Sequence, residues 1–370
     1  MILDRLSIVN YKNIPQTDLH FSPNVNCFLG NNGMGKTNLL DAIYYLSFCK
    51  SFNSGVDSQN IKHGEDFFIL QGSYKEGDRQ EEIYCGLKRR SKKQFKRNKK
   101  DYERLSDHIG FIPLVMVSPA DTNLINGGSE ERRKFIDIVI SQFDKNYLDA
   151  LIRYNSALQQ RNALLKQHEI NPIDDSVFEV WEMQMDRYAQ VVYRSRQQFI
   201  DAFTPVFQEF YMFISQGKEE VALNYTSHLA KGDLTTLLKE VRDRDKILGY
   251  TTRGIHKDEL EMMLGEYPIK RLGSQGQNKT FLITLKLAQF DFLKRYGHTT
   301  PLLLLDDIFD KLDASRVEKI MSLVSSDRFG QIFITDTNRE NIDQIIARLH
   351  NAFKLFEVSD GEFSIFDSNI

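Results

Sequence analysis

Eight consecutive residues near the N-terminus have the types and spacing that hold a polyphosphate. They follow an apolar run that ends at Leu29, and they precede residues 38–48, where Leu39, Ile43 and Leu46 recur at helical spacing. A strand, a loop and a helix are therefore predicted in that order. The loop consists of Gly30, Asn31, Asn32, Gly33, Met34, Gly35, Lys36 and Thr37, and Asn38 follows it.

The spacing of this loop, G-x-x-x-x-G-K-[ST], is that of a P-loop. Its glycines let backbone N–H groups point at phosphate oxygens, and the helix adds a partial positive charge at its N-terminus. Lys36 is expected to reach the β- and γ-phosphates, and the Thr37 hydroxyl to bind Mg²⁺. A glycine-rich turn before an ordinary helix is the alternative, and the preceding strand argues against it. We predict a site for a nucleoside triphosphate.

A second group of candidate residues follows an apolar run late in the chain. Residues 302–305 are all leucine, and Asp306 and Asp307 come next. A parallel strand that is buried on both faces has continuous apolar residues, and ligands meet such a sheet at the carboxyl ends of its strands. This is the Walker B layout. Asp306 is expected to hold Mg²⁺ together with Thr37, and Asp307 to orient or deprotonate the attacking water. The alternative is a core strand with unrelated acids.

A third candidate site precedes a predicted helix that contains Phe281, Leu282 and Leu285. A serine and a glycine before a helix form an anion site without a lysine. Alone, this S-x-G-Q pattern usually marks only a cap and a turn. Its significance comes from the Walker B strand that follows it. The four residues are Ser274, Gln275, Gly276 and Gln277.

Residues 88–100 hold nine lysines and arginines and no acid. A charge run of this kind is usually a solvated turn or a disordered tip. The alternative is a basic hairpin tip with one aromatic, Phe95, that contacts the phosphate backbone of DNA. The candidate DNA-binding residues are Lys88, Arg89, Arg90, Lys92, Lys93, Lys96 and Arg97.

Composition restricts the class of protein. The chain has 370 residues and a net charge of −3, so nucleic-acid binding must depend on where the charges lie. No apolar run approaches the ~20 residues of a membrane span, and no signal peptide is visible. Three cysteines show no metal-ligand spacing and are expected to be reduced thiols. We expect a cytoplasmic protein without a membrane-spanning segment.

The elements around these motifs divide the chain into three parts. Residues 67–74 and 82–87 are predicted to be antiparallel strands, whereas residues 129–247 are mainly helical. A helix interrupted at Pro205 is expected there, and the chain should return to the sheet near Gly254. A heptad-like seam with two polar positions is predicted at Leu148, Leu151, Asn155, Leu158, Asn162 and Leu165. The predicted divisions are 1–125, 126–248 and 249–370.

The order of these motifs resembles SMC-like ABC-type ATPases, and within them the RecF family over essentially the full chain. The resemblance extends to residues 118–121 (SPAD), 132–137 (RRKFID) and the unusually specific 154–166 (YNSALQQRNALLK). Two basic positions depart from the family pattern, because Lys12 and Lys257 stand where it usually has arginine. Lys12 is interpreted as structural or as a contact to the α-phosphate. No transporter-type glutamine loop or switch histidine is visible.

The resemblance implies an α/β fold: a P-loop ABC-type ATPase head with a mixed sheet, plus an inserted mainly helical lobe. It implies that two ATP molecules, with Mg²⁺, lie between the P-loop of one subunit and the Ser274–Gln277 signature of the other. Asp310 and Asp313 would belong to the D-loop. Such a homodimer would bind double-stranded and gapped DNA, with slow, DNA-dependent ATP hydrolysis as a switch.

The implied role is recombinational repair, the SOS response and fork maintenance in the bacterial cytoplasm, near the nucleoid. RecO- and RecR-type mediators would be partners, and RecA recombinase an indirect one. Three other classes remain open. A transporter subunit would need a glutamine loop, and a small-molecule kinase would not need Gly276. Another SMC-like or OLD-type ATPase would normally carry long coiled coils or a nuclease module.

Overall fold

The computed structural model describes residues 1–309, 312, 314–324, 326, 328–347 and 352–366. Two compact units are present. Unit 1 comprises Met1–Asp121, Phe213–Gln216 and Gln275–Ile370, and unit 2 comprises Thr122–Met212 and Gly217–Ser274. Among the described residues, no helix is both long enough and apolar enough to span a bilayer.

The strands are numbered in chain order. They are β1 (Ile2–Tyr11), β2 (Ile14–His20), β3 (Val25–Leu29), β4 (Phe67–Glu76), β5 (Arg79–Lys88), β6 (Gln94–Arg97), β7 (Lys100–Asp101), β8 (Leu114–Val117), β9 (Val221–Thr226), β10 (Glu259–Leu264), β11 (Tyr267–Pro268), β12 (Leu302–Asp306), β13 (Ile332–Asp336), β14 (Phe353–Ser359) and β15 (Glu362–Ile365).

The α-helices are numbered in the same way. They are α1 (Lys36–Phe48), α2 (Asn123–Asn126), α3 (Ser129–Ser141), α4 (Lys145–His168), α5 (Asp175–Ser215), α6 (Leu234–Leu248), α7 (Ile269–Leu272), α8 (Gln275–Tyr296), α9 (Ala314–Val324) and α10 (Arg339–Ile346).

Unit 1 contains two six-stranded sheets. One has the order β2-β1-β4-β5-β6-β7 and is antiparallel throughout. The other has the order β15-β14-β3-β13-β12-β8, and its strands are parallel except for β15. The predicted strands at 25–29 and 302–306 lie in this parallel sheet, where β12 is buried at every position. Parallel strands with both faces covered need such continuous apolar residues. The mixed-sheet head predicted for the fold is confirmed.

The P-loop strand and helix take the predicted order. β3 leads through the loop to α1, which is almost completely buried and includes Leu39, Leu40 and Ile43. β3 lies between β13 and β14, and Phe28 stacks on Phe356 of β14 at 4.9 Å between ring centroids. The loop therefore starts from the middle of a rigid sheet, which fixes its position.

Unit 2 contains the helical lobe and a three-stranded antiparallel sheet in the order β11-β10-β9. The sequence-based division at residue 249 differs from this arrangement. β10 pairs with β9 over six residue pairs and belongs to unit 2, so after Gln216 the chain next returns to unit 1 at Gln275. The predicted interruption at Pro205 is wrong, because α5 is one helix of 41 residues and Pro205 lies inside it.

The predicted heptad seam of α4 is displaced: Leu165 is its one fully buried position, and Leu148, Leu151, Leu158 and Asn162 are half-buried. The buried face lies one residue earlier along the helix, so Asn155 is exposed. Arg161 lies on this buried face, one residue before Asn162, which was expected to be a polar position of the seam. The buried residues are Tyr147, Ala150, Tyr154, Ala157, Arg161 and Leu165.

Candidate nucleotide-binding site

The P-loop surrounds the amino group of its own lysine. Lys36 Nζ donates hydrogen bonds to the carbonyl oxygens of Gly30 at 2.7 Å and Asn31 at 3.0 Å. Gly33 and Gly35 have φ values of 83° and 114°, in the left-handed region that favours glycine. A Cβ on Gly30 would lie 2.3 Å from the carbonyl oxygen of Val358, so the loop packs directly on β14. The glycines are thus required by the fold of the loop itself.

Two turns outside the motif brace the loop. Asn13, between β1 and β2, donates to the Gly33 carbonyl at 3.2 Å and accepts from the Asn38 side chain at 2.7 Å. The backbone N–H of Gly361, between β14 and β15, donates to the Met34 carbonyl at 2.8 Å. Sequence reasoning did not identify Asn13, because nothing local indicates that a turn residue will contact a loop twenty residues later.

The two Walker B carboxylates lie beside the P-loop. Thr37 Oγ1 donates to Asp306, with both carboxylate oxygens at 3.0 Å, and Thr335 Oγ1 donates to Asp306 Oδ1 at 2.7 Å. Among the described side chains, no cation forms an ion pair with Asp306 or Asp307. Burial raises the pKa of Asp306, and burial together with the Asp306 charge raises the pKa of Asp307.

These oxygens suit a hard divalent cation. Mg²⁺ prefers one or two carboxylates and hydroxyl or phosphate oxygens, and it would replace the missing positive charge beside Asp306. Thr37 and Asp306 are the residues that would hold it. Asp307 has φ 46°, and its N–H donates to Thr335 Oγ1 at 3.2 Å, so its backbone is fixed at the sheet edge. Thr335 was not predicted as a site residue, although it lies opposite Asp306 near the end of β13, the strand next to β12.

The signature residues lie at the start of α8. Ser274 precedes the helix, and Gln275, Gly276 and Gln277 form its first turn. Arg316 of α9 donates to Thr280 Oγ1 at 2.7 Å and to the Gly276 carbonyl at 3.3 Å. A Cβ on Gly276 would meet no described atom within 4 Å. The predicted D-loop residues Asp310 and Asp313 lie outside the described residues.

Comparison with known proteins identifies the family. The family described as RecF/RecN/SMC N terminal domain matches residues 2–362. A DNA replication and repair protein RecF of Bacteroides fragilis is 66% identical over 362 residues, covering 98% of this chain and 97% of that protein. Its counterpart in Parabacteroides distasonis is 60% identical, with 98% of both chains covered. The chain belongs to the RecF family.

Solved structures agree with this assignment. A structure described as the recombination mediator protein RecF-ATP in the RecFOR pathway is 28% identical, with a TM-score of 0.89 over 99% of this chain and 97% of that one. A RecF-ATPrS structure has a TM-score of 0.88 at 27% identity, with 98% of both chains covered. An Smc head domain from Pyrococcus furiosus, 17% identical with a TM-score of 0.58 over 99% of this chain and 96% of that one, shares the fold.

Lys12 has a structural contact in this RecF family member. Its Nζ lies 2.6 Å from Asp41 Oδ2, and the Asp41 side chain is fully buried on α1. The Tyr11 hydroxyl donates to the same carboxylate oxygen at 2.6 Å. These bonds favour the structural interpretation of Lys12 over a contact to the α-phosphate.

The basic segment is not a uniformly solvated tip. Lys93 Nζ lies 2.7 Å from Asp57 Oδ2 and donates to the Cys49 carbonyl at 2.6 Å. Arg97 pairs with Glu81 at 2.7 Å. Phe95, the expected stacking residue, is 3% exposed. Because β6 pairs with β5, these three side chains make contacts within the subunit, and their role in DNA binding stays a prediction.

The remaining basic side chains divide into two groups. Lys96 lies 3.9 Å from Asp101, in a weak ion pair. Four candidates stay exposed at the end of β5 and in the turn that follows it, and Arg89 among them also donates to the Glu65 carbonyl at 3.0 Å. The exposed candidates are Lys88, Arg89, Arg90 and Lys92.

The family-specific stretch at 154–166 holds the segment that follows α6. The Tyr154 hydroxyl and His256 Nδ1 are hydrogen-bonded at 2.7 Å. Asn162 Oδ1 accepts from the N–H and hydroxyl of Thr251, and Arg161 donates to the same hydroxyl at 2.8 Å. Arg161 and Asn162 follow Tyr154 by seven and eight residues along α4. The stretch therefore has a structural role inside unit 2, whereas its spacing alone suggested a coiled-coil seam.

Proposed function

We propose that this RecF family member is an ATP-driven homodimeric clamp on DNA that acts in recombinational repair and at replication forks. Its relatives carry names that refer to DNA replication and repair, and two related structures are described with ATP or an ATP analogue in the RecFOR pathway. In the proposed dimer, the P-loop of one subunit and the Ser274–Gln277 turn of the other enclose each ATP. The partners would be RecO- and RecR-type mediators, with RecA assisted indirectly.

The observation that carries this proposal is the open space at Gly276. Glycine in a helix costs roughly 1 kcal/mol relative to alanine. No φ value and no described neighbour requires glycine at this position, since an added Cβ would meet nothing within 4 Å. Gly30 and Gly35 differ, because the subunit's own backbone requires them. A ligand or a second chain that approaches the first turn of α8 closely would explain the glycine.

The Walker side supplies the other half of the proposed site. Lys36 would exchange its two carbonyl contacts for phosphate oxygens, and Thr37 and Asp306 would hold Mg²⁺. The cation would polarise the phosphoryl oxygens when bound. Asp307 would orient the attacking water, but its short side chain on a fixed backbone gives it little reach. We therefore expect slow turnover, below about 1 s⁻¹ without DNA, as suits a switch.

DNA binding is proposed only for the dimer. The chain has a net charge of −3, and the exposed candidates Lys88, Arg89, Arg90 and Lys92 make one modest basic patch. Closing two subunits would join two such patches, and several lysine and arginine contacts to phosphates are needed for useful affinity. Junctions of single- and double-stranded DNA are the preferred substrate in this proposal.

The test is a mixing experiment followed by light scattering. Lys36→Ala removes the P-loop cation, and Ser274→Arg obstructs the signature turn. Each variant alone is expected to stay monomeric with ATP and Mg²⁺, whereas wild type forms dimers. In a mixture, the Ser274→Arg P-loop can meet the Lys36→Ala signature, so one intact composite site becomes possible. We expect dimers in the mixture that neither variant forms alone.

The opposite results are equally clear. Full ATPase activity of wild type as a monomer, or of Ser274→Arg alone, would contradict the composite site and would favour a small-molecule P-loop enzyme. DNA-binding is checked separately with gapped, double-stranded and single-stranded oligonucleotides. Replacing Lys88, Arg89, Arg90 and Lys92 together by Gln should weaken DNA binding while leaving ATP-dependent dimers intact.

A further inference from the structure

The family-specific stretch Ser118–Asp121 lies at the same sheet edge as the nucleotide site. β8 pairs in parallel with β12, with Val117 opposite Leu305, so Ser118 follows at the level of Asp306. The stretch forms a tight turn in which the Asp121 N–H donates to the Ser118 carbonyl at 3.0 Å. Its position next to the Walker B strand suggests a role in the site, but none of its side chains has one in the proposal above.

Asp121 forms a buried ion pair with α8. One carboxylate oxygen accepts from the Ser118 N–H at 2.8 Å, and the other lies 2.8 Å from Lys286 Nζ. The Asp121 and Lys286 side chains are only 7% and 10% exposed. Asp121 also lies near the P-loop helix. The pKa of Tyr44 on that helix is raised mainly by burial, then by the charge of Asp41, and to a smaller extent by the charge of Asp121. The pair therefore connects the turn after β8 with the helix that begins at the signature.

A buried ion pair is an expensive way to hold a helix. The desolvation of two charges offsets most of their attraction, and well-packed apolar residues of similar volume are often as stable or more so. α8 has many such residues, including Phe281, Leu285 and Phe290. Apolar packing is non-directional, however, and it restricts rotation and sliding of a helix less than a charged hydrogen bond does. The pair thus contributes direction more than stability.

The rest of α8 shows why direction matters. Asn278 Oδ1, Thr284 Oγ1 and Gln289 Oε1 are buried without a hydrogen-bond partner among the described protein groups. Hydrogen bonds from these three oxygens therefore do not fix the position of the helix. Directional contacts lie at both ends of α8. Near the site are Arg316 on the first turn and Lys279 Nζ, 3.4 Å from the Asp307 carbonyl, and at the other end Arg328 donates to Asp291 at 2.9 Å.

We propose that Lys286 and Asp121 are positioning residues for the composite ATP site. Their ion pair sets the rotation and depth of α8, and so the placement of the signature turn relative to the strands that end at the nucleotide. This inference rests on the proposed function, since it assumes that the signature turn must meet the nucleotide of a second subunit. Neither residue contacts ATP in this account.

The experiment compares assembly with folding. Lys286→Met and Asp121→Asn are combined so that no unpaired charge remains buried, and the amide oxygen introduced by Asp121→Asn could still accept from the Ser118 N–H. The double variant K286M/D121N is expected to melt near wild type without nucleotide and to bind a fluorescent ATP analogue as wild type does. Its ATP-dependent dimerisation, measured by light scattering, and its turnover should each fall by about tenfold or more.

Three further variants complete the test. Lys294→Met lies on the same helix at an exposed position and should behave as wild type. Lys286→Arg keeps the charge and should restore most of the assembly. Lys286→Gln keeps a donor toward Asp121, and it serves as the second variant if the double substitution fails to fold. It should weaken ATP-dependent assembly in the same direction while retaining ATP binding.

The outcomes separate the two proposals. Wild-type assembly and turnover in K286M/D121N, or in Lys286→Gln if that is the variant that folds, would overturn the positioning role. Equal losses of ATP binding, melting temperature and assembly would also overturn it, since they would indicate a purely structural pair. Absence of ATP-dependent dimers in wild type would overturn the proposed function, and this inference with it.

Discussion

Two regions of the molecule bury charged side chains in opposite ways. In the helical lobe, Arg161 pairs with Glu182 at 2.9 Å and with Asp245 at 2.8 Å, and Arg242 pairs with Glu182 at 2.5 Å. The side chains of Arg161, Glu182 and Asp245 are completely buried. In the nucleotide site, the Asp306 carboxylate instead accepts hydrogen bonds from the Thr37 and Thr335 hydroxyls, and no described cation forms an ion pair with Asp306 or Asp307.

The difference distinguishes a structural role from a functional one. Where two arginines and two carboxylates balance, the charges fix the packing of α4, α5 and α6 and need nothing further. Where carboxylates have no ion-pair partner, burial outweighs the charge of the nearby Lys36 and raises their pKa, as it does for Asp306 and Asp307. Such a site is stabilised by whatever brings positive charge to it, and a divalent cation is the simplest such ligand.

Removing one charge from the balanced region should have the largest effect on stability. Glu182→Gln keeps the shape of the side chain but leaves Arg161 and Arg242 short of a carboxylate. Breaking a buried pair in this way typically costs about 3–5 kcal/mol. We expect that loss in the free energy of unfolding, measured by urea denaturation with a fluorescence probe in the lobe.

The control for this variant is an exposed pair on the same helix as Arg161. Arg153 and Asp149 are 2.6 Å apart, with side chains 54% and 45% exposed. Arg153→Met should leave the free energy of unfolding nearly unchanged, because exposed ion pairs contribute little. Similar losses in both variants would mean that burial does not determine the cost of an unbalanced charge.

Acid should unbalance the same region without a mutation. Burial lowers the pKa of His256 to about 4, aided by the nearby charges of Lys257, Arg133 and His228. Because the folded pKa lies below the unfolded value of 6.5, the stability tied to the neutral ring is fully present above pH 6.5. It is lost progressively as the pH falls from about 6.5 to about 4, by on the order of 3 kcal/mol in total.

His256→Gln should remove this part of the pH dependence. We expect the difference in melting temperature between wild type and variant to shrink from pH 7 to pH 4, as wild type loses stability faster. His63→Gln, at an exposed histidine, is the matched control and should follow wild type. Parallel curves for wild type and His256→Gln would mean that this histidine is not held neutral.

The contrast also explains which parts of the structure the sequence predicts. The P-loop and the Walker B strand are short, continuous patterns whose geometry depends on neighbours in the chain, and both elements form as expected. The prediction of the buried face of α4 is displaced by one residue because a polar–apolar pattern counts Arg161 as exposed. Its partners Glu182 and Asp245 lie 21 and 84 residues away, so no local signal indicates that it is buried.

Lys93 and Asn13 fail to be recognised for the same reason. The sequence suggests a solvated charge or a DNA contact for Lys93, but its partner Asp57 lies 36 residues earlier in the chain. Asn13 braces the P-loop across 20 residues. Polar side chains acquire their roles from distant partners, whereas apolar runs carry their own signal. Sequence reasoning therefore places the strands and the phosphate loop better than it places the side chains that support them.

The smallest of these changes in stability should come from removing one negative charge at the nucleotide site. Asp307→Asn removes the half-buried charge next to the buried Asp306, and asparagine tolerates the left-handed backbone at φ 46°. We expect the nucleotide-free protein to gain stability, on the order of 1 kcal/mol, as substitutions at strained functional sites often do. Thermal melting without nucleotide measures this gain, and the ATP-induced shift in melting temperature should persist because Lys36, Thr37 and Asp306 are unchanged.

Turnover should fall in the same variant by about 10²–10⁴-fold, the usual contribution of a general base. The expected combination is a more stable protein that still binds ATP and hydrolyses it far more slowly. Asp336→Asn, at the end of the neighbouring strand, is the control, because Asp336 already accepts from the Asn338 N–H and the Asn341 side chain. A loss of stability in Asp307→Asn, with no gain without nucleotide, would show that its charge is balanced after all, and the difference between the two regions would disappear.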